Sequence, residues 1–257
     1  MRFFQLSVTV VLSGGLAFAA GQESATQTVE LRVLSSNGVK AVLEMVQPVM
    51  EQAIGRDLSI EFSTSASLKT RIEGGEAFDI AILTPSLIDA LVTQGLIIAD
   101  SRVTFARTGV GVGAHERAPV ADVSTVEALK GTLLGASSVA MTADGQSRRI
   151  SDSAFERLGI VDAMRPKIIL VGPGAGPHSV AAGEVELVLT LVSEIVSVPG
   201  VQLLGPFPDE VQGYISFTAG QHPSATDTEA ASDLLRFLGD PSVAAAAAAN
   251  GMETMEQ

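Results

Sequence analysis

Twice in the first third of this chain an apolar run breaks at small polar residues and passes straight into a helical pattern, which narrows the folds open to it. In Leu31–Val39, LRVLSSNGV, a short strand ends at Ser35, Ser36, Asn37 and Gly38 before helical spacing begins. In IEFSTSASL the same switch falls between Ser63 and Ser67, and FDIAIL leads through Thr84 into a helix opened by Pro85. Strands alternating with helices in this way predict an α/β architecture, a parallel sheet wrapped by helices with ligands beyond the carboxyl ends of the strands. Small polar side chains at such a switch cap the helix, and the unpaired N–H groups of its first turn face whatever lies past the strand. Two sets of neutral donors converging in this way suit one small anion. Capping alone accounts for the same residues, since a cap needs no ligand.

Further along, apolar Val42, Leu43, Val46, Val49 and Met50 keep helical spacing up to Gly55, a C-terminal cap. The run VTFARTGVGVGAH after Arg102 is extended and glycine-rich, and suits a crossing between two lobes. Its alternating Gly109, Gly111 and Gly113 read as close backbone packing rather than a nucleotide loop. Ser124 to Lys130 reads as a short helix with Ser124 as cap and Glu127 completing a capping box. Ser137–Met141, Ile168–Val171 and Leu187–Leu191 read as strands, Ser147–Leu158 as a helix stopped by Gly159, and Gln202–Pro208 as a loop with a short extended piece. Tyr214–Ala219 is the expected return crossing, followed by amphipathic Ala225–Leu238 and an alanine-rich terminal helix after Pro241.

The first twenty residues stand apart: Arg2, an apolar stretch and Ala17-Phe18-Ala19 make a secretory signal pattern with cleavage near Ala19, so the expected location is periplasmic. The chain has no cysteine, so no disulfide framework stabilises an exported form and a hydrophobic core must do so. About 235 mature residues fit two lobes of roughly 100 each, with a cleft between them. The formal net charge of −13 becomes −14 when Arg2 leaves with the signal, which makes nucleic acid and anionic membranes poor partners. That charge does not exclude an anionic ligand. Exposed carboxylates are screened beyond about 8 Å at physiological salt, whereas helix N-termini lining a cleft touch the ligand directly.

Three histidines, at 115, 178 and 222, have no partner at metal spacing, so neither a metal nor a cofactor is expected. A serine hydrolase would need support from a G-x-S-x-G elbow, which the sequence lacks. Gly172 to Pro177 follows a strand and precedes a helix, but its two prolines remove donors and no Lys-Ser/Thr follows, so a cleft-facing turn is the better reading. Arg148 and Arg149 share a first helical turn, where a solvated surface role competes with pairing to a carboxylate ligand.

LRVLSSNG, FSTSASLKTRIEGGEAFDIAI, GLIIADSRVTFARTGVGV and PSATDTEAASDLLRFLGDPSVA, in that order and spacing, resemble the periplasmic molybdate-binding proteins of ABC importers, as a diverged branch. The resemblance implies a type II solute-binding fold: two lobes, each a mostly parallel sheet flanked by helices, with two crossover strands as hinge. On that basis lobe one is 29–107 plus 214–257, lobe two is 108–213, and the crossings lie near Phe105–Thr108 and Gly213–Ser216. It also implies a small oxyanion held by serine hydroxyls, backbone N–H groups and a tyrosine, a permease as partner, and no catalysis; the expected state is a monomer. Ser65 falls on a ligand position, and Ser147 lies near the helix start that supplies a backbone N–H. The first-corner serine of the family aligns with Gly38 and its tyrosine with Leu191, so Ser35, Ser36, Asn37 or Thr190 must substitute, or the pocket serves another anion, such as a small carboxylate held by Arg148 or Arg149. Thr84 and Thr142 complete the expected binding set. An exported enzyme or a ligand sensor on the same cleft is the rival reading.

Overall fold

A computed structural model describes residues 30–255 of the protein. The expected export signal and the polar stretch that follows it lie outside the described residues. In chain order, β1 (Leu31–Ser36) passes through a 3-10 turn at Asn37–Val39 into α1 (Lys40–Ile54). Then come β2 (Leu58–Ser63), α2 (Ser65–Glu73), β3 (Ile80–Leu83), α3 (Pro85–Thr93) and the 13-residue β4 (Val103–His115). The middle of the chain holds α4 (Val126–Gly135), β5 (Val139–Thr142), α5 (Gln146–Leu158), α6 (Val161–Met164), β6 (Ile168–Val171), α7 (Ala175–Ala181) and β7 (Leu187–Leu191). It closes with α8 (Val192–Val196), β8 (Val201–Pro206), β9 (Tyr214–Gln221), α9 (Thr228–Phe237), α10 (Pro241–Ala249) and β10 (Glu253–Thr254).

The strands pair in the order β2-β1-β3-β9-β4-β7-β5-β6, with β8 and β10 also on β4. β1 is parallel to β2 and β3, and β5 is parallel to β6 and β7, as strands joined through helices must be. β4 holds the two sets together: Val103 to Gly109 pairs antiparallel with β9, and Val110 to Ala114 pairs antiparallel with β7. This two-part sheet, wrapped by helices, is the fold class expected.

The core explains why the crossing strand is so rich in glycine. One continuous cluster runs from Leu31, Leu43 and Met50 in the first half to Leu129, Phe155 and Leu189 in the second, with Phe217 of β9 near its middle. Burial of each such side chain stabilises the fold by about 1.5–3 kcal/mol. On β4 a Cβ at Gly113 would stand 2.8 Å from Val188 Cγ1 and 3.0 Å from Ile195 Cγ2, so β7 and α8 pack directly on its backbone. Close packing at a crossing is therefore the role of these glycines.

Several boundaries differ from the sequence reading. The α4 cap is Thr125, whose hydroxyl accepts from Ala128 N–H, while Ser124 instead donates its N–H to Asp122. Residues 201–206 form the strand β8 rather than a loop, because β4 offers a free edge that no local pattern reveals. Val49 is exposed although it keeps the spacing of the buried α1 residues.

Candidate functional site

The carboxyl ends of β1, β2, β3 and β5 lead into helices whose first turns meet around one cleft. From the first half it is lined by Ser36, Asn37 and Gly38 after β1, Thr64 and Ser65 at α2, and Thr84 at α3. From the second half come Thr142, Gly145, Gln146 and Ser147 at α5, with Gly174, Leu191 and Glu194; Ile215 and Phe217 of β9 form the back wall. The cavity measures about 40 Å³. At roughly 10–15 Å³ per water this is room for about three waters, the size of a small oxyanion or one carboxylate group.

How each corner spends its hydroxyl separates caps from free donors. Thr64 caps α2 by accepting from Ser67 N–H at 3.2 Å, which leaves Ser65, next to it and buried, on the cleft wall. Thr84 is the N-cap residue of α3 yet makes no capping bond, and its hydroxyl is buried with no hydrogen-bond partner. Leaving a buried hydroxyl unpaired costs about 1–3 kcal/mol. Among the described residues one other buried side-chain group is so stranded, Ser151, which lies within α5 and does not line the cleft. Gly145 caps α5 without a side chain, so the N–H groups of Gln146 and Ser147 face the space unscreened.

Six of the nine expected binding residues, Ser36, Asn37, Ser65, Thr84, Thr142 and Ser147, therefore share this cleft. Three do not line it. Ser35 is fully buried on the opposite face of β1, where strand alternation sends it, and bonds to the Ser36 carbonyl. Arg148 is drawn onto Asp152 one turn along α5, with both carboxylate oxygens at 2.8 Å. Thr190 faces a small enclosed space behind the cleft, where its hydroxyl donates to Glu194. Arg149 is exposed, so neither arginine stands ready to hold a carboxylate in this cleft.

Glu194 is the residue that sequence reasoning missed. It sits on α8, a five-residue helix that follows β7 with no polar break to announce it. The Ser193 hydroxyl donates to the Gly38 carbonyl at 2.7 Å, pinning α8 against the corner after β1 and so bringing Glu194 to the cleft. Burial raises the pKa of its carboxyl above the ordinary carboxylate value, against the opposing pull of the Thr190 hydroxyl and the Leu191 backbone. The residue keeps some surface because it also borders an outer groove of about 890 Å³, which shares Asn37, Gly174 and Glu194 with the cleft. Among the described residues lining the cleft, Glu194 is the one ionisable side chain, and no Lys, Arg or His joins it.

The remaining wall is apolar. A Cβ at Gly38 would stand 2.3 Å from Phe217 Cζ and 2.6 Å from Leu191 Cδ1. Leu191 and Phe217 thus occupy the space that a serine at position 38 would need. Among the described residues no group of His, Cys, Asp and Glu is placed to hold a metal ion, and no helix is long and apolar enough to cross a membrane.

Residues 31–253 match the family described as Bacterial extracellular solute-binding protein. The chain belongs to that family. Aconitate isomerase of a Pseudomonas species is 29% identical to it over 246 residues, which cover 93% of this chain and 94% of the relative. The periplasmic molybdate-binding protein of Azotobacter vinelandii superposes with a TM-score of 0.76 at 18% identity, covering 88% of this chain and all (100%) of that one. The sulfate-binding protein SubI of Mycobacterium tuberculosis H37Rv does so with a TM-score of 0.72 at 15% identity, covering 88% and 87%. At these identities the solved structures establish the fold, the two-lobed type II architecture. Both positions at which the sequence is expected to depart from the molybdate-binding pattern, Gly38 and Leu191, lie on the cleft wall of this solute-binding protein.

Proposed function

We propose that this solute-binding protein captures one small organic anion outside the cytoplasm, with a carboxylate group seated among the helix starts, and delivers it to an ABC permease. The observation that carries the reading is the buried Thr84 hydroxyl, without a hydrogen-bond partner among the described residues, in a cleft whose described lining includes no Lys, Arg or His. A carboxylate oxygen satisfies that hydroxyl and the N–H groups of α2 and α5 together. The apolar wall of Leu191, Ile215 and Phe217 offers no donor on one side of the inner cavity, which suits the carbon end of a carboxylate group better than an oxyanion such as molybdate that carries oxygens on every side. The inner cavity takes the carboxylate, and the body passes Glu194 toward the outer groove. Lobe one is then 29–107 plus 214–257, lobe two is 108–213, and the paired segments of β4 and β9 bend as a hinge when ligand binds. Calorimetry and thermal melting with molybdate, tungstate, sulfate, citrate and cis- and trans-aconitate test it. One carboxylate should bind one-to-one and raise the melting temperature. If no anion of the panel does either, the reading fails.

Glu194 supports a second reading, an exported isomerase of an unsaturated carboxylate, in line with the aconitate isomerase relative. A carboxylate whose pKa is raised by burial is, once ionised, a stronger base than an exposed one. It would take a proton from the carbon beside the double bond and return it to the far end of the allylic system. One C–H bond breaks, another forms and the double bond moves, with no oxidant needed. Turnover of trans-aconitate followed by proton NMR, absent from Glu194→Gln, would favour this reading; a bound but unchanged ligand would refute it.

A further inference from the structure

We propose that the cleft takes its anion together with one proton, held on the Glu194 carboxyl, which donates a hydrogen bond to the bound ligand. This deepens the anion-binding reading and rests on it. Glu194 stands where the inner cavity opens into the outer groove, so a ligand bearing an anionic group in the one and a body in the other passes the carboxyl at contact distance. An ionised Glu194 would repel that ligand in a space with little water to screen it.

No neighbour relieves the conflict. Glu194 is the one ionisable residue of α8, β7 carries none, and the cleft-lining residues of β1, α2, α3, β5, α5 and β9 are uncharged. Across the outer groove stand Lys40 and Glu44 of α1, which pair with each other at 3.7 Å, and His178 of α7; the end of α10 contributes Ala249, followed by its C-cap Asn250. A proton on Glu194 removes the repulsion and turns an acceptor into a donor. Burial already favours that neutral form in the free protein. Glu194 is thereby a specificity-determining residue: it admits an anion that arrives with its acceptor oxygens free and disfavours capture as the medium turns alkaline.

The test is calorimetry of the mature protein with trans-aconitate and molybdate as probes from pH 5.5 to 8.5, in pairs of buffers with different ionisation enthalpies. Binding should take up close to one proton per ligand at the alkaline end, and affinity should fall by about tenfold per pH unit once Glu194 of the free protein ionises. Glu194→Gln, which keeps a donor and cannot titrate, should bind with a flat pH profile and no proton uptake. Wild-type affinity that stays flat without proton uptake above the pH at which the infrared carboxyl band of Glu194 in the free protein is lost overturns the proposal while leaving anion binding intact, and so does a Glu194→Gln protein that keeps the wild-type slope. Should that variant not fold, the wild-type buffer pairs alone decide. Failure of both probes to bind at every pH defeats the anion reading itself, and this inference with it.

Discussion

Thr84 shows how one hydroxyl separates a binding residue from a structural one. Its neighbour in role, Thr64, closes a cap and stabilises α2 whether or not ligand is present. The Thr84 hydroxyl has no such partner, although the Thr84 carbonyl accepts from the N–H groups of Leu87 and Ile88 at the start of α3. Thr84→Val should therefore leave the stability of the free protein unchanged or slightly raised, while ligand affinity drops by the worth of a hydrogen bond to a charged group, about 1.5–3 kcal/mol or roughly 10- to 150-fold. Chemical denaturation and calorimetry on the same preparation check both halves. Glu194 makes the opposite kind of statement, about pH. Its unfolded carboxyl ionises near 4.5 and its folded one higher, so between those values the folded protein binds more protons than the unfolded chain. Stability of the free wild type should fall as pH rises through that window and level off above the folded pKa, and Glu194→Gln should remove that component. Denaturant midpoints from pH 4 to 9 read it directly.

At the scale of elements, the short helix α8 does more than its five residues suggest. It begins without a side-chain cap, and its second residue, Ser193, donates to the carbonyl of Gly38 at the corner after β1. That bond fixes the depth at which Glu194 enters and holds the corner after β1 in place. Ser193→Ala would strand a buried carbonyl and should cost about 1–3 kcal/mol, seen as a lower melting temperature, with weaker ligand binding because Glu194 and the Asn37 corner lose their registration. Unchanged stability with unchanged affinity would show the bond to be incidental. The helices that face the ligand are of another kind: α2 and α5 owe their donors to backbone geometry at the first turn, so their contribution survives most side-chain changes.

For the molecule as a whole, β4 is the shared spine, and its two halves pair with different strands on either side of Val110. At that point Gln212 bonds to β4 as a strand would: its side-chain oxygen accepts from Val110 N–H at 2.9 Å and its amide donates to the Val110 carbonyl at 2.9 Å and the Phe207 carbonyl at 3.2 Å. Gln212→Ala should lower the melting temperature through the loss of those bonds, each worth about 0.5–1.5 kcal/mol, and should increase hydrogen exchange at the Val110 amide. Exchange confined to the wild-type rate would mean that water replaces the side chain at no cost. The continuous core across β4 and β9 also bounds any closing motion to a bend of these strands rather than a separation of the halves.

From the sequence by itself come the alternation of strands and helices, the small residues at the switches, the glycine spacing of the crossing strand and the shortage of cations, because each is written in local periodicity or composition. These were enough to place Ser36, Asn37, Ser65, Thr84 and Ser147 at or beside the switches from strand to helix. Only the tertiary structure decided that these starts meet, that Ser35 turns away, that Arg148 spends its charge on Asp152, and that residues 201–206 pair as a strand. It alone decided the place of Glu194, since the stretch VSEIV carries no periodic signal and its position depends on packing against β4 and the Gly38 corner. Convergence of this kind is set by contacts between residues far apart in the chain, and a short stretch read alone holds no record of what will lie opposite it.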